Sequence, residues 1–129
     1  DGKRMQSVPG GCHWGGGIWI SSRDHARLGY LVQRGGIWNG KQVLAPGWID
    51  QLRTPCDINP VYGMLWWLNI DNAYYPSAPD GSFGAMGAGS NIIWICPDQD
   101  LTIVARWIDQ AAVDGLIGSV MKALVKETV

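Results

Sequence analysis

The sequence predicts an α+β domain, in which helices and antiparallel strands are mixed along a chain of 129 residues. Three observations support this class: a capped helix near the start, the hairpin signal Asn39-Gly40, and an amphipathic helix at the end. The strands do not alternate with helices in the manner of a parallel sheet. The length suits one domain, residues 1–129, that can bury roughly two-thirds of its unfolded surface.

The first predicted element is a helix over Arg23–Arg34. Ser21 or Ser22 can cap its amino end, and Ser21 stands three residues before Asp24, which is the spacing of a capping box. The two glycines that follow Arg34 end the helix. Its buried stripe is expected to consist of Leu28, Leu31 and Val32.

The middle of the chain is predicted from its turn residues. Asn39-Gly40 lies between two short apolar segments, which indicates a hairpin with a two-residue turn. Pro46 suits the first turn of a second, short helix that Pro55 closes. We expect a strand over Tyr62–Asn69, followed by a looser segment over Asp71–Ser82 that lies on the surface.

The last third of the chain predicts a hairpin and a helix. Ile92–Cys96 and Leu101–Ile108 are typical of antiparallel strands, joined by Pro97–Asp100. A helix over Ala112–Glu127 is expected to pack on this sheet. Its apolar stripe is expected to consist of Val113, Leu116, Ile117, Val120, Met121 and Leu124.

Composition and charge exclude several classes of protein. A hydrophobic fraction of 47% with 16% charged residues excludes a disordered chain, and no apolar run is long enough to span a bilayer. The net charge of −1, with scattered Lys and Arg residues, gives no electrostatic footprint for nucleic acid. Most of the eight tryptophans are expected in the core, including those at the two helix entries, Trp19 and Trp48.

The cysteines and histidines do not predict a metal site. Cys12, Cys56 and Cys96 match no zinc-ligand spacing even together with His13 and His25, so neither a metal nor another cofactor is expected. Cys96 lies in an apolar strand and is expected to be a core cysteine. His25 is expected at the surface or half-buried. His13 precedes a tryptophan and three glycines, and this loop either borders a cleft or, as we favour, covers a packed ring.

The most informative segment is a run of glycine and alanine that leads into the strand at Ile92. Small residues let another molecule approach the backbone closely, and glycine permits positive φ. The run therefore has two interpretations. It either makes only a tight hairpin entry, or it presents a backbone N–H to a substrate oxygen as an oxyanion hole does. The local sequence favours the hairpin, because glycine turns are common.

Four segments in a fixed order shift this balance: Gly15–Gly29, Gly36–Pro46, Tyr62–Asn69 and Ala85–Pro97. Together they resemble the C-terminal part of the β-lactamase-related serine hydrolases, which include class C β-lactamases, penicillin-binding-protein-like peptidases, and esterases or amide hydrolases. The resemblance runs from about Gly10 to the final helix. It implies the C-terminal portion of the β-lactamase/transpeptidase-like fold, an antiparallel sheet with packed helices and a C-terminal helix.

The resemblance also implies a site on the glycine-rich run. Counting back from Pro97, the family's Lys or His falls on Ala85 and its glycine falls on Gly87. Ala88 then takes the position whose backbone N–H serves the oxyanion hole. The other substrate-binding positions that the resemblance implies are Met86 and Gly89. Because Ala85 cannot supply a positive charge to a substrate carboxylate, we expect the substrate to be a neutral ester or amide.

The family's Ser-x-x-Lys nucleophile and Tyr-x-Asn motif are not placed in this chain. Ser119 and Lys122 have the first spacing, but on the predicted helix they lie about 140–160° from the centre of the apolar stripe. A nucleophilic serine needs a base packed beside it in a desolvated cleft. We therefore interpret this pair as a decoy and predict no catalytic side chain in this chain.

The chain is accordingly expected to be a C-terminal fragment of a longer serine hydrolase that acts on a small ester or amide through an acyl-enzyme. It would contribute the oxyanion wall of the cleft and not the nucleophile. It starts at Asp1, so no export signal can be judged. In the family fold the sheet continues into N-terminal strands, so the expected partner is that part of the protein or a second copy. A second copy would pair along Leu101–Ile108 or its neighbouring strand, or would exchange elements with the first. The alternatives are a non-catalytic pseudo-enzyme and a Trp-rich carbohydrate-binding module.

Overall fold

The computed structural model describes residues 2, 4–8 and 17–125. Helices and antiparallel strands are mixed along these ranges, and a helix ends them, so the predicted α+β class is confirmed. Single turns of 3₁₀ helix cover Ile70–Asn72, Pro97–Gln99 and Gln110–Ala112. In chain order the other elements are β1 (Gln6–Val8), β2 (Gly17–Trp19), α1 (Ser22–Gln33), β3 (Ile37–Trp38), β4 (Lys41–Gln42), α2 (Trp48–Leu52), β5 (Trp67–Leu68), β6 (Phe83–Gly87), β7 (Asn91–Cys96), β8 (Leu101–Ala105) and α3 (Val113–Val125).

A four-stranded antiparallel sheet in the order β5-β6-β7-β8 forms the centre of the fold. β6 pairs with β7 over its whole length, whereas β5 pairs only with its first two residues, Phe83 and Gly84. Ala85–Gly87 therefore extend past the end of β5. At the other side of the sheet, β8 is the outer strand in the part of the chain that the structure describes. Two small antiparallel pairs, β1 with β2 and β3 with β4, lie outside this sheet.

Both faces of the sheet are covered by other elements. Alternate residues of β7 point to opposite faces, so this strand contributes to the core on each side. The face that carries α3 buries the cluster Tyr75, Ala78, Ile92, Trp94, Cys96, Val113 and Ile117. The face that carries α1 and α2 buries the cluster Val32, Leu52, Leu68, Phe83, Ile93 and Ile95. The close approach of α1 to the sheet requires Gly29, since a Cβ there would lie 2.5 Å from Thr102 Cγ2 and 2.6 Å from Ile93 Cγ2.

The local signals of the first half are confirmed. α1 begins after Ser21, whose Oγ accepts a hydrogen bond from the backbone N–H of Asp24 at 3.1 Å. Asn39 and Gly40 have φ values of 47° and 73° and join β3 to β4, as the mirror-image turn of a two-residue hairpin requires. The buried stripe of α1 is partly wrong, because Val32 is buried whereas Leu28 is 42% exposed.

The predicted strand over Tyr62–Asn69 is wrong for most of its length. Only Trp67–Leu68 form a strand, and Tyr62 makes an isolated bridge with Trp67. The residues between them form a tight turn: Gly63 donates its backbone N–H to the carbonyl of Trp66 at 2.8 Å, and Leu65 has a φ of 65°. A residue with positive φ cannot continue a strand.

The segment over 71–82 was predicted on the surface, and this prediction is partly wrong, because only five of its residues are exposed. Tyr75, Ala78 and Ser82 are buried in it. The buried Asn69 holds the segment with five hydrogen bonds. Its Nδ2 donates to the carbonyls of Tyr75, Ala78 and Pro79 at 3.1, 3.1 and 3.0 Å, and its Oδ1 accepts from the backbone N–H groups of Tyr74 and Tyr75 at 3.1 and 2.9 Å. One polar side chain thus replaces the ladder hydrogen bonds that this segment lacks.

Smaller corrections concern the ends of elements. α2 begins at Trp48 rather than at Pro46, and β8 ends at Ala105 instead of Ile108. The buried stripe of α3 is narrower than predicted, because Leu116 and Leu124 are exposed while Val113 and Ile117 are buried. None of the helices in the described residues is long and apolar enough to cross a membrane.

Candidate functional site

The predicted site residues lie at one end of the central sheet. Ala85, Met86 and Gly87 are the last three residues of β6, and Ala88–Ser90 form the turn into β7. Gly89 and Ser90 have φ values of 75° and 49°, which this tight turn requires. The glycine-rich run is thus the end of a strand followed by a hairpin turn. β5 pairs with β6 only at Phe83 and Gly84, so Ala85–Gly87 extend past the end of β5.

An open groove of about 470 Å³ runs beside this turn. Its walls are β2, the first half of α1, the end of β6 and the residues after β8. Of the five positions expected to form the site, Ala85, Met86, Gly87 and Ala88 line the groove. Gly89 does not, because the ring of Trp107 lies against it: a Cβ on Gly89 would overlap that ring. Trp107 itself has a φ of 56° and is 73% exposed.

A relay of hydrogen bonds fixes the turn to the rest of the fold. Asn91 Nδ2 donates to the backbone carbonyl of Ala88 at 2.6 Å. Arg106 Nε donates to Asn91 Oδ1 at 3.1 Å, and Arg106 Nη1 donates to the carbonyl of Ile20. The guanidinium group therefore connects the turn to the link between β2 and α1. This arrangement holds the backbone of Ala88 in one orientation.

The opposite side of β6 is held by a pair of tyrosines. Tyr75 donates its hydroxyl to Met86 Sδ at 3.2 Å, and the Tyr74 hydroxyl lies 3.9 Å from the same sulfur. Burial, followed by the neighbouring Tyr74, raises the pKa of Tyr75 to about 12. The Tyr75 hydroxyl therefore stays protonated near neutral pH and donates its hydrogen bond to Met86 Sδ. Met86 is thus anchored by the segment that Asn69 ties to the sheet.

His25 lines the groove from α1 and is half-buried. Its Nδ1 is buried and has no hydrogen-bond partner among the residues described by the structure. Burial, and then the positive charge of Arg106, lowers the pKa of this imidazole below its usual 6.5. Both causes disfavour the charged form of His25. The described residues contain no group of three His, Cys, Asp or Glu side chains that could hold a metal ion.

The remaining candidates lie elsewhere. Ser119 and Lys122 are exposed on α3, and Ser119 Oγ donates to the carbonyl of Gly115 at 2.8 Å. Cys96 is fully buried in β7, as predicted, and burial raises the pKa of its thiol to about 11. Cys12 and His13 lie outside the described residues.

Sequence reasoning missed much of the groove. Arg106 was the one charge inside an apolar strand prediction, which was the signal that could have identified it. Trp19 was expected in the core and is 71% exposed beside the groove, and Trp48 is 41% exposed elsewhere. Leu28 was expected in the buried stripe of α1 and lines the groove instead. These residues follow apolar patterns, which do not distinguish a core from an open apolar surface.

The chain was compared with known proteins. No protein-family model matches it, and no curated protein does. Among the solved structures that match is one described as "Putative 6-aminohexanoate-dimer hydrolase from Bacillus anthracis", with 23% sequence identity and a TM-score of 0.59. The alignment covers 85% of this chain and 29% of that one, so the chain spans less than a third of its length. The likeness shows that this chain shares its fold with the part of that protein to which it aligns.

Proposed function

We propose that this chain forms one wall of the active-site cleft of a β-lactamase-like serine hydrolase that cleaves an ester or an amide. In this proposal the backbone N–H of Ala88 is one of two oxyanion donors. The nucleophilic serine and the second donor come from a part of the protein outside this chain. The serine attacks the substrate carbonyl, the alcohol or amine leaves, and water then releases the acyl group from the serine.

The observation that carries this proposal is the position of Ala85–Ala88. These residues border an open groove at the end of the central sheet, and the fold of the chain matches part of a structure described as a hydrolase. Backbone N–H groups stabilise an oxyanion when they are fixed in advance, because no reorganisation is then needed during the reaction. The relay from Arg106 through Asn91 to Ala88 supports such fixation.

Two further observations support the assignment. On the edge of β6 that faces away from β7, Ala85–Gly87 pair with no strand in the described part of the chain. An extended substrate therefore has access to that edge. Ser119 bonds its own helix and lies on the exposed face of α3, so it does not compete for the role of nucleophile. The nucleophile is accordingly sought in the protein to which this chain belongs.

The proposal is tested by Ala88→Pro in that longer protein. Proline removes the N–H, and the expected loss in kcat is about 10²–10³, the usual cost of one oxyanion donor. Ala88→Gly keeps the N–H and is the matched control, with kcat expected within a few-fold of the parent. A folded Ala88→Pro protein with unchanged kcat would show that the oxyanion donor lies elsewhere.

A carbohydrate-binding module is the second candidate, and the exposure of Trp19 and Trp107 favours it. Exposed indole rings can stack on sugar rings. The test is the tryptophan fluorescence of this chain during titration with simple sugars. A saturable change that Trp19→Ala abolishes would support this candidate.

A further inference from the structure

We propose that the groove beside Ala88 binds the carboxylate of a small amphipathic acid, with Arg106 as the donor to the carboxylate and Trp19 and Trp107 as the apolar walls. As a statement about substrate class this rests on the proposed function, because Ala88 borders the same groove. As a statement about binding it can be tested on this chain alone.

The first step of the argument is the charge of the groove. Arg106 lines it and makes no ion pair with the residues that the structure describes, and none of the described lining residues is Asp or Glu. Two of its nitrogens are engaged, Nε with Asn91 and Nη1 with the carbonyl of Ile20. Nη2 has no hydrogen-bond partner in the described ranges of the chain. An arginine that is fixed by two neutral acceptors and keeps one free nitrogen is preorganised to receive an anion.

The second step concerns the walls. Trp19 and Trp107 are 71% and 73% exposed, and Leu28 is 42% exposed on the same groove. Exposed apolar residues that form one patch mark a binding site more often than isolated ones do. The groove therefore offers one cation within an apolar surface. The ligand that complements it carries one negative charge and an apolar body.

The third step selects a carboxylate among anions. Arg106 is the one Lys or Arg among the described lining residues, and its single charge matches that of a carboxylate better than that of a phosphate dianion. Burial and the charge of Arg106 lower the pKa of the neighbouring His25, which disfavours a second positive charge there. Ala85 stands where the family resemblance would place a cation, and Arg106 supplies a positive charge to the same groove instead.

The experiment compares 3-phenylpropionate with its uncharged analogue 3-phenylpropionamide on the full chain, by nitrogen–proton NMR. We expect the carboxylate to shift the Arg106 side-chain N–H, the Trp107 indole N–H and the Ala88 amide. Its Kd should be at least about tenfold lower than that of the carboxamide, since a hydrogen bond to a charged group contributes about 1.5–3 kcal/mol. Arg106→Gln should abolish this preference.

Two further variants complete the test. Arg34→Gln removes an exposed arginine that pairs with Asp100 away from the groove, and should keep the preference. Because Arg106→Gln also loses its bond to Asn91, Arg106→Lys is needed: it keeps a positive charge and should keep a preference for the acid. Equal binding of acid and amide, shifts that map outside the groove, or no saturable shift with either compound would overturn the inference. None of these results depends on turnover, so they are independent of the Ala88→Pro test.

Discussion

Replacing Asn69 with alanine should remove much of the stability of this fold. The Asn69 side chain is fully buried and makes five hydrogen bonds, three as donor to the carbonyls of Tyr75, Ala78 and Pro79 and two as acceptor from Tyr74 and Tyr75. At about 1 kcal/mol for each net hydrogen bond, their sum is about 5 kcal/mol. Water that enters the vacated space will recover some of this, so we expect a loss of about 3 kcal/mol in the free energy of unfolding.

The assay is equilibrium unfolding in urea, followed by tryptophan fluorescence. Asn72→Ala is the matched control, because Asn72 Nδ2 makes a single bond to the carbonyl of Ala78 at 2.6 Å and the residue is only half-buried. It should lose about 1 kcal/mol for this bond and up to about 1 kcal/mol more, because Asn72 has a φ of 55° that alanine adopts less readily. If Asn69→Ala loses no more than Asn72→Ala, the five bonds do not hold the segment 70–82 as argued.

Three further predictions follow from the site and the sheet edge. This chain alone should hydrolyse neither a chromogenic cephalosporin nor p-nitrophenyl esters, and turnover that Ser119→Ala abolishes would contradict this. Because β8 is the outer strand of the sheet in the described part of the chain and lies beside exposed apolar residues, the chain should form dimers or larger assemblies in light scattering, whereas a 14.1 kDa particle would refute the prediction. An NMR titration should place the pKa of His25 below 6.5 and show it rising in Arg106→Gln, while burial keeps it from reaching 6.5. His25 takes up a proton at a higher pH in the unfolded chain than in the folded one. Its protonation therefore makes the fold less stable as the pH falls below 6.5 toward the pKa of the folded protein.

The predictable parts of the fold are those that short segments determine. Ser21 with Asp24 sets the start of α1, and Asn39-Gly40 sets the first hairpin, because each feature depends on a few adjacent residues. The strand over Tyr62–Asn69 failed for the opposite reason. Its apolar pattern suits a strand, but Gly63 packs against the carbonyl of Leu52, a distant residue, and the chain turns there.

The candidate site was predictable only in its backbone. The glycine-rich run indicated where small residues leave the main chain accessible, and four of those five positions line the groove. The opposite wall was not predictable, since Trp19 and Leu28 have the same apolar character in a core as on an open surface. The role of Arg106 depends on Ile20, which lies 86 positions earlier, and no local pattern reveals such a contact.

The buried thiol of Cys96 can report on the opening of the central sheet. The thiolate is the form that reacts with disulfide reagents, and this thiol is both inaccessible and held protonated by its raised pKa. Modification of Cys96 therefore requires the sheet to open. The rate of labelling, compared with that of the partly exposed Cys56, would measure how often β7 separates from its neighbours under native conditions.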